Sequence, residues 1–118
     1  MVSEADVLQA SAGRRDLRRA TDIIGKKWHP VVISTLLADD RRGFNDLKGT
    51  LDGISDKVLS DCLEDLQSVG LVSREVIDDK PVRVEYSLTE AGNDLESVID
   101  DLQAWSREHL SEDLPGRS

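Results

Sequence analysis

Sulfur and aromatic rings are scarce in this 118-residue chain: one cysteine, one methionine, and four aromatic side chains, Trp28, Phe44, Tyr86 and Trp105. A lone Cys62 excludes an internal disulfide framework, and with two well-separated histidines it forms no zinc-ligand spacing. No apolar run approaches the roughly 18 residues of a membrane span, and no signal-peptide pattern opens the chain. A cytoplasmic protein of one domain is expected, long enough to build a core without staples. No nucleophile has a fixed-spacing partner and no glycine-rich phosphate loop is present, so no catalytic residue, metal or cofactor is assigned and an enzyme is not expected.

Charge is abundant but one-sided. The formal net charge is −9, with 24 acidic and 15 basic residues, the wrong sign for a polyanion's partner if charge were evenly spread. It is not even. Residues 14–27 hold six basic residues against Asp16 and Asp22, whereas residues 89–118 hold eight acids against Arg107 and Arg117. Aspartate outnumbers glutamate 16 to 8 and arginine outnumbers lysine 10 to 5, a composition that points to a halophilic setting, where salt screens self-repulsion.

The clearest local pattern runs from Gly53 to Arg74. Ser55 is a good N-cap and Asp56 suits the positive end of the helix dipole. Val58, Leu59, Cys62, Leu63, Leu66 and Val69 make an apolar stripe opposite Lys57, Ser60, Asp61, Glu64 and Gln67, which predicts a helix over 55–69. Gly70 supplies a left-handed stop. Upstream, residues 44–50 read as a short helix capped by Asn45. Two helices joined through a glycine-containing turn form a helix-turn-helix pattern, whose second helix can enter a major groove.

Around that unit, residues 1–13 lack periodicity and are expected to be a flexible N-terminus. A helix is predicted from Arg14, with Leu17, Ala20, Ile23 and Ile24 apolar and a basic opposite face, ending at Gly25. His29 and Pro30 open a core helix to Ala38, with His29 read as a helix-start or interface residue. Arg42 and Gly43 suggest a short strand. Leu71 to Ile77 and Val82 to Leu88 read as strands joined by Asp78–Pro81; strict alternation in the second predicts one buried face, carrying Val82, Val84, Tyr86 and Leu88. Such a hairpin behind a reading helix is a wing, with Lys80 and Arg83 placed for phosphate or minor-groove contact. Thr89 caps a single last helix whose stripe of Leu95, Val98, Ile99, Leu102 and Trp105 needs a partner: the first helix, or a second copy. A disordered tail is expected over 111–118.

Three motifs, in order and spacing, carry a resemblance: DIIGKKW at 22–28, RRGFNDLKGTLDGISDKVLSDCLEDLQSVGLVSR at 41–74, and VEYSLTEAG at 84–92. The chain resembles the HxlR-type winged helix-turn-helix transcriptional regulators of bacteria and archaea. The fold class implied is mainly α with a small β-hairpin (α+β), a winged helix-turn-helix domain over 14–110 with dimerisation helices at both ends. The resemblance implies a homodimer on double-stranded DNA, at a pseudo-palindromic promoter site. Its DNA contacts would fall on Asn45, Lys48, Ser55, Asp56, Lys57, Ser60, Asp61, Lys80 and Arg83, and its dimer interface on Leu17, Ile24, Trp28, Leu95, Val98, Leu102 and Trp105. Some members of that family sense oxidants or electrophiles through a cysteine near the N-terminus; this chain has none there, and Cys62 is expected to be a protonated packing residue. Operator, effector ligand and sign of regulation stay unknown. A rival expectation, drawn from Asp61, Glu64 and Asp65 on the reading helix, is a winged helix that docks a basic protein partner instead of DNA.

Overall fold

The computed structural model describes residues 3–110; the expected tail at 111–118 lies outside them. The elements are α1 (Glu4–Ile24), α2 (His29–Ala38), β1 (Arg42–Gly43), α3 (Phe44–Thr50), α4 (Asp56–Ser68), β2 (Val72–Asp79), β3 (Val82–Leu88), α5 (Glu90–Asn93) and α6 (Glu96–His109). The fold is therefore mostly helical with one small antiparallel sheet, ordered β1-β3-β2.

α4 supplies most of the core. Leu59, Cys62, Leu63 and Leu66 are buried along one side, facing Val32, Ile33 and Leu36 of α2 and Leu47 of α3. Each such leucine contributes roughly 1.5–3 kcal/mol of burial, so the rotation of α4 about its axis is fixed by its underside. The ends of the predicted stripe do not join it: Val58 and Val69 are exposed, lying at its margins. Ser55 Oγ accepts from the Val58 amide at 3.1 Å. At the other end Gly70, with φ +80°, lets the Leu71 amide reach Leu66 O and its own amide reach Gln67 O, the paired bonds of a Schellman stop.

Four expectations need correction. α1 begins at Glu4 rather than Arg14: Ser3 Oγ accepts from the Asp6 amide, and helix-forming Ala, Leu and Gln residues carry the turn through Gly13. This helix buries no residue fully, which is why no stripe marked its first turns. Asn45 does not cap α3; Gly43 holds the N-cap position and Asn45 sits within the first turn. The last helix is two: Thr89 caps α5, and the chain turns at Asp94 and Leu95 before α6, where Gly92 and Asn93 are weak helix formers. Finally, β3 buries only half of its predicted face. Tyr86 and Leu88 pack on the core, while Val82 is 67% exposed because the hairpin runs out past it.

β1 ties the hairpin to the helical unit. Arg42 pairs with Tyr86 and Gly43 with Glu85, while β2 and β3 pair from Val72–Leu88 outward, with a register shift between Val76 and Asp78. The strand leading into α3 and the wing thus share one sheet.

Candidate nucleic-acid interface

α3 and α4 meet through Leu51–Ser55, where Gly53 takes φ +83° and buried Leu51 and Ile54 anchor both sides of the bend. Their outward surface carries Asn45, Lys48, Ser55, Asp56, Lys57, Ser60 and Asp61, all exposed. Ser55 spends its hydroxyl on the helix cap. The two lysines are also engaged: Lys48 Nζ is ion-paired with Asp56, and Lys57 Nζ lies 2.8 Å from Asp61 Oδ2, one turn along α4. Asp61's hydrogen bond and charge raise the Lys57 ammonium above its ordinary value, so the lysine is fully cationic.

The wing closes a second side of this surface. Asn45 of α3 and Arg83 of β3 line one cleft of about 510 Å³ together with Arg41, Arg42, Asp46 and Glu85. Arg41 lies 3.3 Å from Glu75 and Arg83 lies 3.9 Å from Glu85. Arg42 is held by Asp39 and also donates to Thr50. Arg41 and Arg42 were not among the sequence candidates; the dipeptide before Gly43 was the available signal, masked by its reading as loop and strand. Lys80 stands at the hairpin turn with no ion-pair partner among the described residues.

Alongside α4, facing the α1–α2 junction, lies an open cleft of about 600 Å³ lined by Lys26, Trp28, His29, Val58, Asp61, Cys62 and Asp65 among others. His29 is buried and bridges: its Nε2 is 2.7 Å from Asp65 Oδ2 and its Nδ1 3.5 Å from Cys62 Sγ. Lys26 Nζ reaches the same Oδ2 at 2.7 Å. Lys26 and then His29 hold the Asp65 carboxyl below its usual value, while burial, reinforced by Asp65, pushes the Cys62 thiol up to about 11. One proton arrangement satisfies all three groups: Cys62 S–H donates to Nδ1 and Nε2–H donates to the carboxylate. A cysteine, histidine and aspartate in series look like a nucleophilic triad, but a thiol held protonated and 2% exposed is no nucleophile.

Of the predicted dimer residues, Leu17, Val98, Leu102 and Trp105 are exposed, at 63, 41, 47 and 54%. Trp28 and Leu95 instead pack partly on the protein's own core, and on α1 it is Ile23, not Ile24, that does so.

A two-helix reading unit backed by a β-hairpin that shares a sheet with it defines a winged helix-turn-helix protein. The HxlR-like helix-turn-helix family matches residues 23–114, and the chain belongs to that family. It is 37% identical over 92 residues to the HTH-type transcriptional regulator YvaP of Bacillus subtilis, covering 78% of this chain and 84% of that one. To the HTH-type regulator YodB of the same organism it is 34% identical over 90 residues, 76% of this chain and 80% of the relative. Reduced YodB superposes with a TM-score of 0.70 at 29% identity, covering 92% of this chain and 95% of that one. The redox regulator HypR in its reduced form gives 0.75 at 30% identity, over 81% and 94%. The protein is a DNA-binding transcriptional regulator, not an enzyme. No helix among the described residues is long and apolar enough to cross a membrane.

Proposed function

We propose that the protein acts as a homodimer on a pseudo-palindromic promoter site, each α4 in a major groove and each wing on the flanking backbone. The observation that carries this is the shared outward surface of α3, α4 and the wing, which gathers Asn45, Lys48, Lys57, Ser60, Asp61 and Arg83 while the apolar side of α4 is spent on the core. Lys57, Ser60 and Asp61 read base edges; lysine can donate to guanine and aspartate accept from cytosine N4. Asn45, Lys48, Ser55, Lys80 and Arg83 set position on the backbone. Half-sites then lie about one helical turn, roughly 34–36 Å, or a multiple of it, apart.

The dimer reading rests on the exposed apolar residues of the two arms, Val7, Leu8 and Leu17 of α1 with Val98, Leu102 and Trp105 of α6. On α6, Val98, Leu102 and Trp105 recur at four- and three-residue spacing and so share one helix face, and an exposed apolar face on a small protein supports an interface there. Joined across a two-fold axis, the arms bury these residues and place two reading helices on one side of DNA.

Fluorescence anisotropy against the DNA upstream of its own coding sequence, with scrambled DNA as control, tests the reading. Selective binding is expected. Lys57→Ala should cost about 1–3 kcal/mol on the promoter alone, and Lys80→Ala should weaken every sequence alike. A second reading, a docking face for a basic protein, is favoured by the exposed Asp61 and Glu64 of α4; binding that never prefers the promoter at any salt would turn the test to that reading.

A further inference from the structure

We propose that Asp56 and Asp61 are specificity residues that act against non-cognate DNA. The proposal rests on the placement of α4 in the groove and asks how so acidic a helix discriminates once there.

Both lysines of the α3–α4 unit carry their own carboxylate. Lys48 is paired with Asp56 and Lys57 with Asp61, and all four side chains face solvent, at 42 and 71% and at 82 and 61% exposure. Non-specific affinity for DNA comes almost wholly from lysines and arginines that replace condensed counterions on phosphates. A lysine that arrives with an aspartate 2.8 Å away brings no net charge, and the aspartate is repelled by the same phosphates. The sequence-independent part of binding is therefore largely cancelled on this unit.

Base edges treat the pair differently. In the major groove the lysine can donate to guanine O6 or N7 while the aspartate accepts from cytosine N4–H. Lys57 and Asp61 lie one turn apart on the same helix face, so a site offering both an acceptor and an amino group satisfies both halves. A site without the amino group leaves a carboxylate in the anionic groove with no donor beyond its own lysine. At this degree of exposure the pair contributes little to the stability of the fold. Its effect is felt in the contrast between sites, as a penalty built against the wrong partner.

The test compares Asp56→Asn/Asp61→Asn with Glu96→Gln/Asp100→Asn on α6, which makes the same change in net charge on exposed positions outside the reading unit. Anisotropy titrations on promoter and scrambled DNA are run across a KCl series, with circular dichroism confirming the fold. For wild type a shallow salt slope on scrambled DNA is expected. In the reading-unit variant each freed lysine should steepen that slope by about 0.9 and raise affinity for scrambled DNA on the order of tenfold at 0.1 M salt. Promoter affinity gains less, so the promoter-to-scrambled ratio falls; the α6 variant keeps the wild-type ratio. Asp61→Asn alone gives about half the effect. If the two double variants behave alike, or the ratio holds in both, the proposal is overturned while the groove reading stands. If wild type itself shows no promoter preference at any salt, the groove reading and the proposal fall together.

Discussion

Removing the Asp65 carboxylate tests how the reading helix is tied to the rest of the protein. In Asp65→Ala two contacts to one oxygen disappear, each 2.7 Å long. The Lys26 contact is half-exposed and worth little, about 0.2–1 kcal/mol. The His29 contact is different: the ring is 7% exposed, so its Nε2–H would be left in a nearly dry site without an acceptor, at about 1–3 kcal/mol. The sum is about 1–4 kcal/mol, read as a fall in the urea midpoint with an unchanged slope. Asp65→Asn keeps an acceptor for His29 and should lose less. The pH dependence gives a second check. Because Asp65 titrates lower in the folded chain than unfolded, its contribution is complete above the unfolded value of about 3.9 and is lost as pH falls through the folded one. The gap between wild type and Asp65→Ala should therefore narrow in acid below about pH 4, toward the gap that neutral Asp65→Asn leaves, because a protonated carboxyl still offers His29 an acceptor. A midpoint unmoved at pH 7, or a gap that does not narrow in acid, would refute the assignment of His29 and Lys26 as the partners that matter.

Other outcomes follow from the same geometry. Cys62 should resist thiol reagents at pH 8 in the folded protein and react at once in denaturant. Since its thiol is raised to about 11, the stability it confers is full below its unfolded value and is lost as pH climbs from about 9 to 11. Gly92→Ala places a methyl group 2.3 Å from the Leu71 carbonyl oxygen and 3.0 Å from the Leu88 side chain; the backbone must shift, and a melting scan should show a loss of about 1–3 kcal/mol. If the proposed dimer forms through α6, Leu102→Asp/Trp105→Ala should shift it to monomer in sedimentation velocity while leaving the far-ultraviolet spectrum intact.

What could be read from the sequence was what local chemistry determines. Ser55, the three- and four-residue spacing of Leu59, Cys62, Leu63 and Leu66, and Gly70 are all within one helix, and that helix stands where it was drawn. β1 at Arg42–Gly43 and the paired strands β2 and β3 were likewise legible. The misses are of two physical kinds. Some are choices between near-equal local options: Gly43 over Asn45 as cap, or a turn after Gly92–Asn93 instead of one unbroken helix. Others are long-range. His29 and Asp65 are 36 positions apart, and no spacing rule joins them; only the packing of α2 against α4 does. The same holds for Asp56, since Lys48 and Asp56 lie on different helices across a bend, whereas the i,i+4 pair Lys57–Asp61 is local to one helix.

The junction at Thr89 carries a mechanical consequence. Its amide donates to Leu71 O, its hydroxyl donates to Gly70 O at 2.6 Å, and Gly92 lies close against that Leu71 carbonyl. The chain leaving the reading helix and the chain entering the α5–α6 arm are thus knotted at one point. In the proposed dimer such a knot works as the pivot of a pair of calipers: a small swing where the arms meet becomes a change in the gap between the two tips. A signal that bends the arms need never touch DNA; it has only to set the calipers to a width at which the two grooves no longer match.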